Sequence, residues 1–142
     1  MKWKYLNEEE REQETQQIVT INASPAGGGG VTKIVENNLY FYGDITESNA
    51  LELNAALYEM DKKLSVTNLF LDVNLHINSY GGSLFAGLAT VDAIRNLNSE
   101  VHSYIEGAAA SAATLISVAC SKRYIGKYSK MLIHQLSATS YG

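Results

Sequence analysis

From Val31 onward, apolar residues fall into regular periods. Leu39, Tyr40, Phe41 and Tyr42 form a short aromatic run closed by Gly43-Asp44, which predicts a strand. Over 45–64, Leu53, Leu57, Met60 and Leu64 recur at three- and four-residue steps. That is the period of one helix face, and Thr46 or Ser48 supplies a cap. Val73, Leu75 and Ile77 then alternate with Asp72, Asn74 and His76, so 69–78 reads as a strand region. The turn Ser79-Tyr80-Gly81-Gly82 follows. Leu84, Leu88, Val91 and Ile94 share a face of a second helix over 84–97, with Ser83 as its N-cap. A strand over 101–105 is closed by Gly107. A third helix covers 111–120, and short strands cover 123–125 and 130–134. Strands alternating with helices predict an α/β architecture, with parallel strands joined by right-handed crossovers.

The first thirty residues break this regularity. Glu8, Glu9, Glu10, Glu12 and Glu14 crowd a polar stretch, and Gly27, Gly28, Gly29 and Gly30 follow Pro25. The composition predicts a flexible acidic and Gly-rich segment over 1–30 and an ordered domain over 31–142. The chain has 142 residues, 46% hydrophobic and 18% charged, enough for one domain with a core of its own. A net charge of −4 with no basic stripe argues against a nucleic-acid partner. The 1–17 stretch lacks the apolar core of a secretory signal. The small-apolar run over 107–120 is too short for a membrane span and is interrupted by Ser111, Thr114 and Ser117. One cysteine, Cys120, excludes an internal disulfide. These readings lead to the expectation of a cytoplasmic protein with no membrane or nucleic-acid partner.

Three features bear on chemistry. Ser111 follows a strand and opens a helix, where a hydroxyl lies near backbone N–H groups and the positive helix end. Its other reading is an ordinary helix N-cap. The Gly-x-Ser-x-Gly elbow is absent. His134 ends the apolar run Met131-Leu132-Ile133, at a sheet rim where reactive groups collect; its other reading is a packed or solvent-facing imidazole. Gly81-Gly82 is either a plain turn or a source of N–H groups for a developing oxyanion, and it matches no phosphate-binding fingerprint. His76 and His102 read as structural or surface residues, away from any metal-ligand spacing.

Taken in order, Ile77-Asn78-Ser79-Tyr80-Gly81-Gly82-Ser83, Gly107-Ala108-Ala109-Ala110-Ser111-Ala112 and Met131-Leu132-Ile133-His134-Gln135 resemble the three motifs of the ClpP family of ATP-dependent serine peptidases. The resemblance runs from about Leu39 to His134. It implies a ClpP/crotonase-like fold of repeated β-β-α-type units. It also implies Ser111 as nucleophile, His134 as general base, and Gly82 and Ala112 as oxyanion N–H donors. Gly81, Gly82 and Ser83 would then hold an extended peptide by strand addition. The implied reaction is acyl transfer in the Ser-His-Asp manner. No cofactor is implied, since ATP is used by the partner. The implied partners are further copies of the chain in heptameric rings, an AAA+ unfoldase of the ClpX, ClpA or ClpC type, and unfolded polypeptides.

The sequence departs from the family at several points. Tyr80 stands where the family has proline, and Ala112-Ala113 where it has Met-Gly. The Ser111 to His134 interval is slightly short, and the stretch from Val66 to Leu71 is insertion-like. The family's triad acid and long handle helix lie beyond its histidine, while Asp44, Asp61, Asp72 and Asp92 all lie upstream. The expectation is therefore a domain truncated before the handle helix and triad acid, with depressed activity and no complete double ring. Two other classes fit the same motifs. One is an inactive structural Clp-type subunit. The other is a crotonase-superfamily acyl-CoA enzyme, against which the co-occurrence of Ser111 and His134 argues. A Ser-Lys peptidase would need Lys122, Lys127 or Lys130, which fall in the wrong context.

Overall fold

The structure is a computed structural model and describes residues 31–67 and 71–134. The predicted linker over 1–30, Gln135 and the middle of the 66–71 stretch lie outside the described residues. Among the described residues, six strands form one sheet: β1 Val31–Val35, β2 Asn38–Tyr42, β3 Val73–Ser79, β4 Val101–Ala110, β5 Lys122–Ile125 and β6 Lys130–Leu132. Three helices connect them: α1 Glu47–Val66, α2 Leu84–Arg95 and α3 Ala112–Ala119. The sheet order is β1-β2-β3-β4, with β5 and then β6 alongside β4. All pairs are parallel except the hairpin of β1 and β2.

The strands from β2 to β5 are laid down in sequence order, always stepping in one direction. Right-handed crossovers then place all three connecting helices on the same face. The alternation read in β3 does what it predicts: Val73, Leu75, Ile77 and Ser79 are buried, while Asn74, His76 and Asn78 face the other side. Leu39, Phe41, Ile105 and Ala109 join them against Leu53, Leu57 and Met60 of α1 and Ala112, Ala113 and Ile116 of α3. Each large side chain buried here contributes about 1.5–3 kcal/mol. Thr46 caps α1 by accepting the Asn49 N–H (3.1 Å), and Ser83 caps α2 by accepting the Ala86 N–H (3.3 Å). Asp61 of α1 accepts from the Asn98 N–H (3.2 Å) and the Ser99 N–H (2.7 Å), pinning the connection into β4.

The face opposite the helices carries a row of rings across four strands. Tyr40, His76, Tyr104 and Tyr124 stack at centroid distances of 4.4, 5.0 and 4.7 Å. Glu106 accepts from His76 Nδ1 (2.7 Å) and from the Tyr42 hydroxyl.

Two elements differ from the sequence reading. The strand β1 was not predicted, because its hairpin turns at Glu36 with φ +57, a position where glycine or asparagine is the usual signal. Gly107 does not close β4. The strand passes through it to Ala110, with Gly107 at φ +90 inside a bulge.

Candidate active site

The C-terminal ends of β2, β3 and β4 lie side by side, the edge of a parallel sheet where ligands are usually held. Ser111 is the residue between β4 and α3. Its backbone has φ +54 and ψ −125, and its side chain makes no capping hydrogen bond. Ser111 thus occupies the N-cap position, as one of its two readings expects, but its hydroxyl does not cap the helix. A non-glycine residue at positive φ stores about 1–3 kcal/mol of strain and persists only where its surroundings impose it. Here the Ser111 N–H donates to the Leu132 carbonyl (3.2 Å), and the Thr114 hydroxyl donates to the same carbonyl (3.1 Å). Ser111 is half-exposed, while Ala112 and Ala113 behind it are buried. The first N–H groups of α3 have no acceptor within the helix, so that end is suited to negative charge.

Leu132 closes β6, which pairs with the last residues of β4: Ala108 with Lys130, Ala109 with Met131 and Ala110 with Leu132. His134 lies two residues past the carbonyl that holds Ser111, and it is exposed. The sheet thus brings together the sequence-distant Ser111 and His134 segments.

Gly81 and Gly82 extend the end of β3. The Ile45 N–H donates to the Gly81 carbonyl (2.9 Å), and the Ser83 N–H donates to the Ile45 carbonyl (2.7 Å). Gly82, bridged to Ile45, therefore directs its own N–H and carbonyl away from it, by the alternation of an extended chain. Gly81 abuts Ser111: a Cβ on Gly81 would lie 2.7 Å from Ser111 Cβ and 3.1 Å from the Ala112 nitrogen. Its N–H donates to Ser79 Oγ (3.1 Å). A Cβ on Gly82 would lie 2.3 Å from the Ile45 carbonyl oxygen. Both glycines sit at positive φ, +99 and +147. The pair is thus required by close backbone approach, which an ordinary surface turn does not need. The Ser83 hydroxyl caps α2 and donates to Glu47 Oε1 (2.9 Å), and bonds from the Glu47 backbone and from Ser83 hold that carboxyl below its ordinary value.

Asp72, Glu100 and His102 meet at the other end of the strands, a grouping the sequence spacing did not reveal because Asp72 comes from just before β3 and the other two from around the start of β4. Their ligand atoms all lie within 4.8 Å of one another. His102 Nε2 stands 3.3 Å from Glu100 and 3.5 Å from Asp72, an imidazole shared between two carboxylates. This grouping is remote from Ser111 along the sheet. Cys120, the C-cap residue of α3, is buried, and burial pushes its thiol up to about 12, so it is no competing nucleophile. No helix among the described residues is long and apolar enough to cross a membrane.

The family model described as Clp protease matches residues 31–142. A proteolytic subunit 2 of the ATP-dependent Clp protease from Chlamydia trachomatis is 44% identical over 73 residues, 50% of this chain and 36% of the relative. The corresponding subunit of Streptococcus mutans is 46% identical over 66 residues, 45% of this chain and 34% of the relative. These matches span little more than a third of the relatives' own length. Among solved structures, a ClpP1 mutant from Listeria monocytogenes aligns with a TM-score of 0.66 at 24% identity, over 72% of this chain and 58% of that one. The ClpP protease catalytic domain from Plasmodium falciparum aligns with a TM-score of 0.61 at 29% identity, over 68% of this chain and 53% of that one.

Proposed function

The chain belongs to the Clp protease family, and from that premise we propose that it is the catalytic part of a ClpP-like serine endopeptidase subunit. The observation that carries this reading is Ser111: a strained, uncapped serine at a strand-to-helix turn, hydrogen-bonded through its backbone to the strand that leads to His134.

In this mechanism His134 takes the Ser111 proton as Oγ attacks a peptide carbonyl. The negative charge that develops on the carbonyl oxygen is met by N–H groups of Ala112 and Gly82. Ala112 opens α3 and is available for this role, and the Gly82 N–H is directed away from Ile45. Gly81 contributes its missing side chain, which lets the turn close on Ser111. Within the Gly81 to Ser83 stretch, the Gly82 carbonyl, turned away from Ile45, accepts from the substrate backbone. His134 then returns the proton to the leaving amine, and water releases the acyl group from Ser111. The working protein is an oligomer of rings, supplied with unfolded chains by an ATP-driven unfoldase and located in the cytoplasm.

Hydrolysis of a fluorogenic peptide by the full-length protein tests the reading. Ser111→Ala and His134→Gln should each lower kcat by about 10³-fold or more. Turnover surviving in Ser111→Ala would reject the assignment.

A further inference from the structure

We propose that Asn78 and Ser129 are positioning residues for Ser111 and His134, acting through the bulge in β4; the proposal rests on the peptidase reading above. Between the pairs Ile77 with Ile105 and Ser79 with Ala109, β3 advances two residues while β4 advances four. A bulge leaves backbone N–H groups without ladder partners, and each then needs another acceptor. Two side chains meet the need here. The Gly107 N–H donates to Ser129 Oγ (2.8 Å), and the Ala108 N–H donates to Asn78 Oδ1 (3.2 Å). One acceptor comes from β3 and the other from the residue just before β6, so the bulge is bracketed from both flanks. Asn78 also occupies the space that Gly107 leaves: a Cβ on Gly107 would lie 2.8 Å from Asn78 Oδ1. The brackets are themselves anchored. The Asn78 carbonyl accepts the Gly43 N–H (3.0 Å), and the Ser129 N–H donates to the Gly126 carbonyl (2.9 Å).

The bulge decides which strand lies beside Ser111. Before it, His102 to Ile105 pair with Lys122 to Ile125 of β5. After it, Ala108 to Ala110 pair with β6, and the same ladder continues into the bond from the Ser111 N–H to Leu132. One register therefore sets both the height of Ser111 and the start of the segment carrying His134. A slip by one residue would turn every side chain beyond the bulge to the opposite face. Asn78 and Ser129 fix that register without themselves touching the reacting atoms.

The test compares kcat and KM for a fluorogenic peptide, alongside thermal melting, in the full-length protein carrying Asn78→Leu, Asn78→Asp, Ser129→Ala or Ser129→Thr. Asn78→Leu and Ser129→Ala should lower kcat by about 10- to 100-fold while KM stays within about twofold. Asn78→Asp and Ser129→Thr keep an acceptor oxygen in place and should recover activity to within about fivefold of the unmodified protein. Unchanged kcat in both Asn78→Leu and Ser129→Ala, with the unmodified protein active, overturns this proposal and leaves the peptidase reading standing. Activity that falls equally in the conservative variants, in step with melting temperature, also overturns it, since that is the behaviour of a merely structural pair. Should Asn78→Leu fail to fold, Ser129→Ala and Ser129→Thr decide the matter. An unmodified protein that does not hydrolyse the peptide removes the peptidase reading and this proposal together.

Discussion

Replacing Gly81 by alanine adds one methyl group where the structure leaves no room. The new Cβ would stand 2.7 Å from Ser111 Cβ and 2.7 Å from the Ala110 carbonyl oxygen. Carbon atoms rest at about 3.5–4.0 Å, so roughly 1 Å of overlap has to be relieved. Neither neighbour is the far end of a flexible side chain, so the backbone of the turn or of Ser111 must move. The φ of +99 adds a conformational cost for any L side chain, and overlap and strain together come to about 2–4 kcal/mol. For a domain of this size that lowers the melting temperature by about 4–16 °C. The effect on chemistry is larger in relative terms. A displacement of about 1 Å at the nucleophile costs about 100-fold in rate. The assay is the rate of covalent labelling by a fluorophosphonate, read together with thermal melting. Leu57→Ala serves as control: Leu57 is fully buried in α1, and its truncation costs about 2–5 kcal/mol without touching the turn. Gly81→Ala should lose labelling while Leu57→Ala keeps it. Labelling of Gly81→Ala at the unmodified rate, or an equal loss in Leu57→Ala, would show that the contact between Gly81 and Ser111 does not control the nucleophile.

Ser111→Gly should abolish labelling yet raise stability by about 1 kcal/mol, because glycine accepts φ +54 without strain; a melt that shows Ser111→Gly less stable than Ser111→Ala contradicts the strain reading. Asp61→Ala removes the acceptor for two backbone N–H groups and the Asn98 amide, and should cost about 2–3 kcal/mol in denaturant unfolding. Burial pushes the Asp61 carboxyl up, but the bonds from Ser99 and Asn98 outweigh it and hold it below its ordinary value. That part of the stability is present at neutral pH and disappears as pH falls through the lowered value, so the gap between Asp61→Ala and the unmodified protein should close in acid. Tyr42 behaves in the opposite sense. Its bond to Glu106, then burial, then the charge of Glu106 push it up to about 12. Its contribution is complete below the ordinary value of 10.0 and is lost as pH rises through 12, so Tyr42→Phe and the unmodified protein should converge over that alkaline range.

Much of the scaffold was legible because its signals are local. Val73, Leu75 and Ile77 alternate as a half-buried strand must, and Leu53, Leu57 and Met60 mark the buried face of α1. The caps at Thr46 and Ser83 follow from side-chain chemistry acting over three residues. The parts that were not legible depend on partners far away in sequence. Gly107 looks like a strand terminator, and only Asn78 and Ser129, from either side, make it the middle of a bulged strand. Glu36 takes a turn conformation that its side chain does not advertise. Ser111 looks like any N-cap; its positive φ, its hydroxyl that does not cap and its backbone bond to Leu132 of β6 appear only in the fold. The order of Gly81-Gly82, Ser111 and His134 resembles the motif order of a peptidase family, and in the fold the first two meet while β6 runs on toward the third. Gly81 is the residue that lets the turn touch Ser111, and β6 leads to His134. His102, by contrast, also meets the carboxylate of Asp72, which no local spacing reveals.

The most direct measurement is to react the full-length protein with a fluorophosphonate and map the adduct by mass spectrometry of its peptides. A single stoichiometric adduct should form on Ser111, absent in Ser111→Ala and formed far more slowly in His134→Gln. An adduct on another residue, or labelling of Ser111 at an unchanged rate in His134→Gln, would contradict the assignment of Ser111 as a nucleophile served by His134.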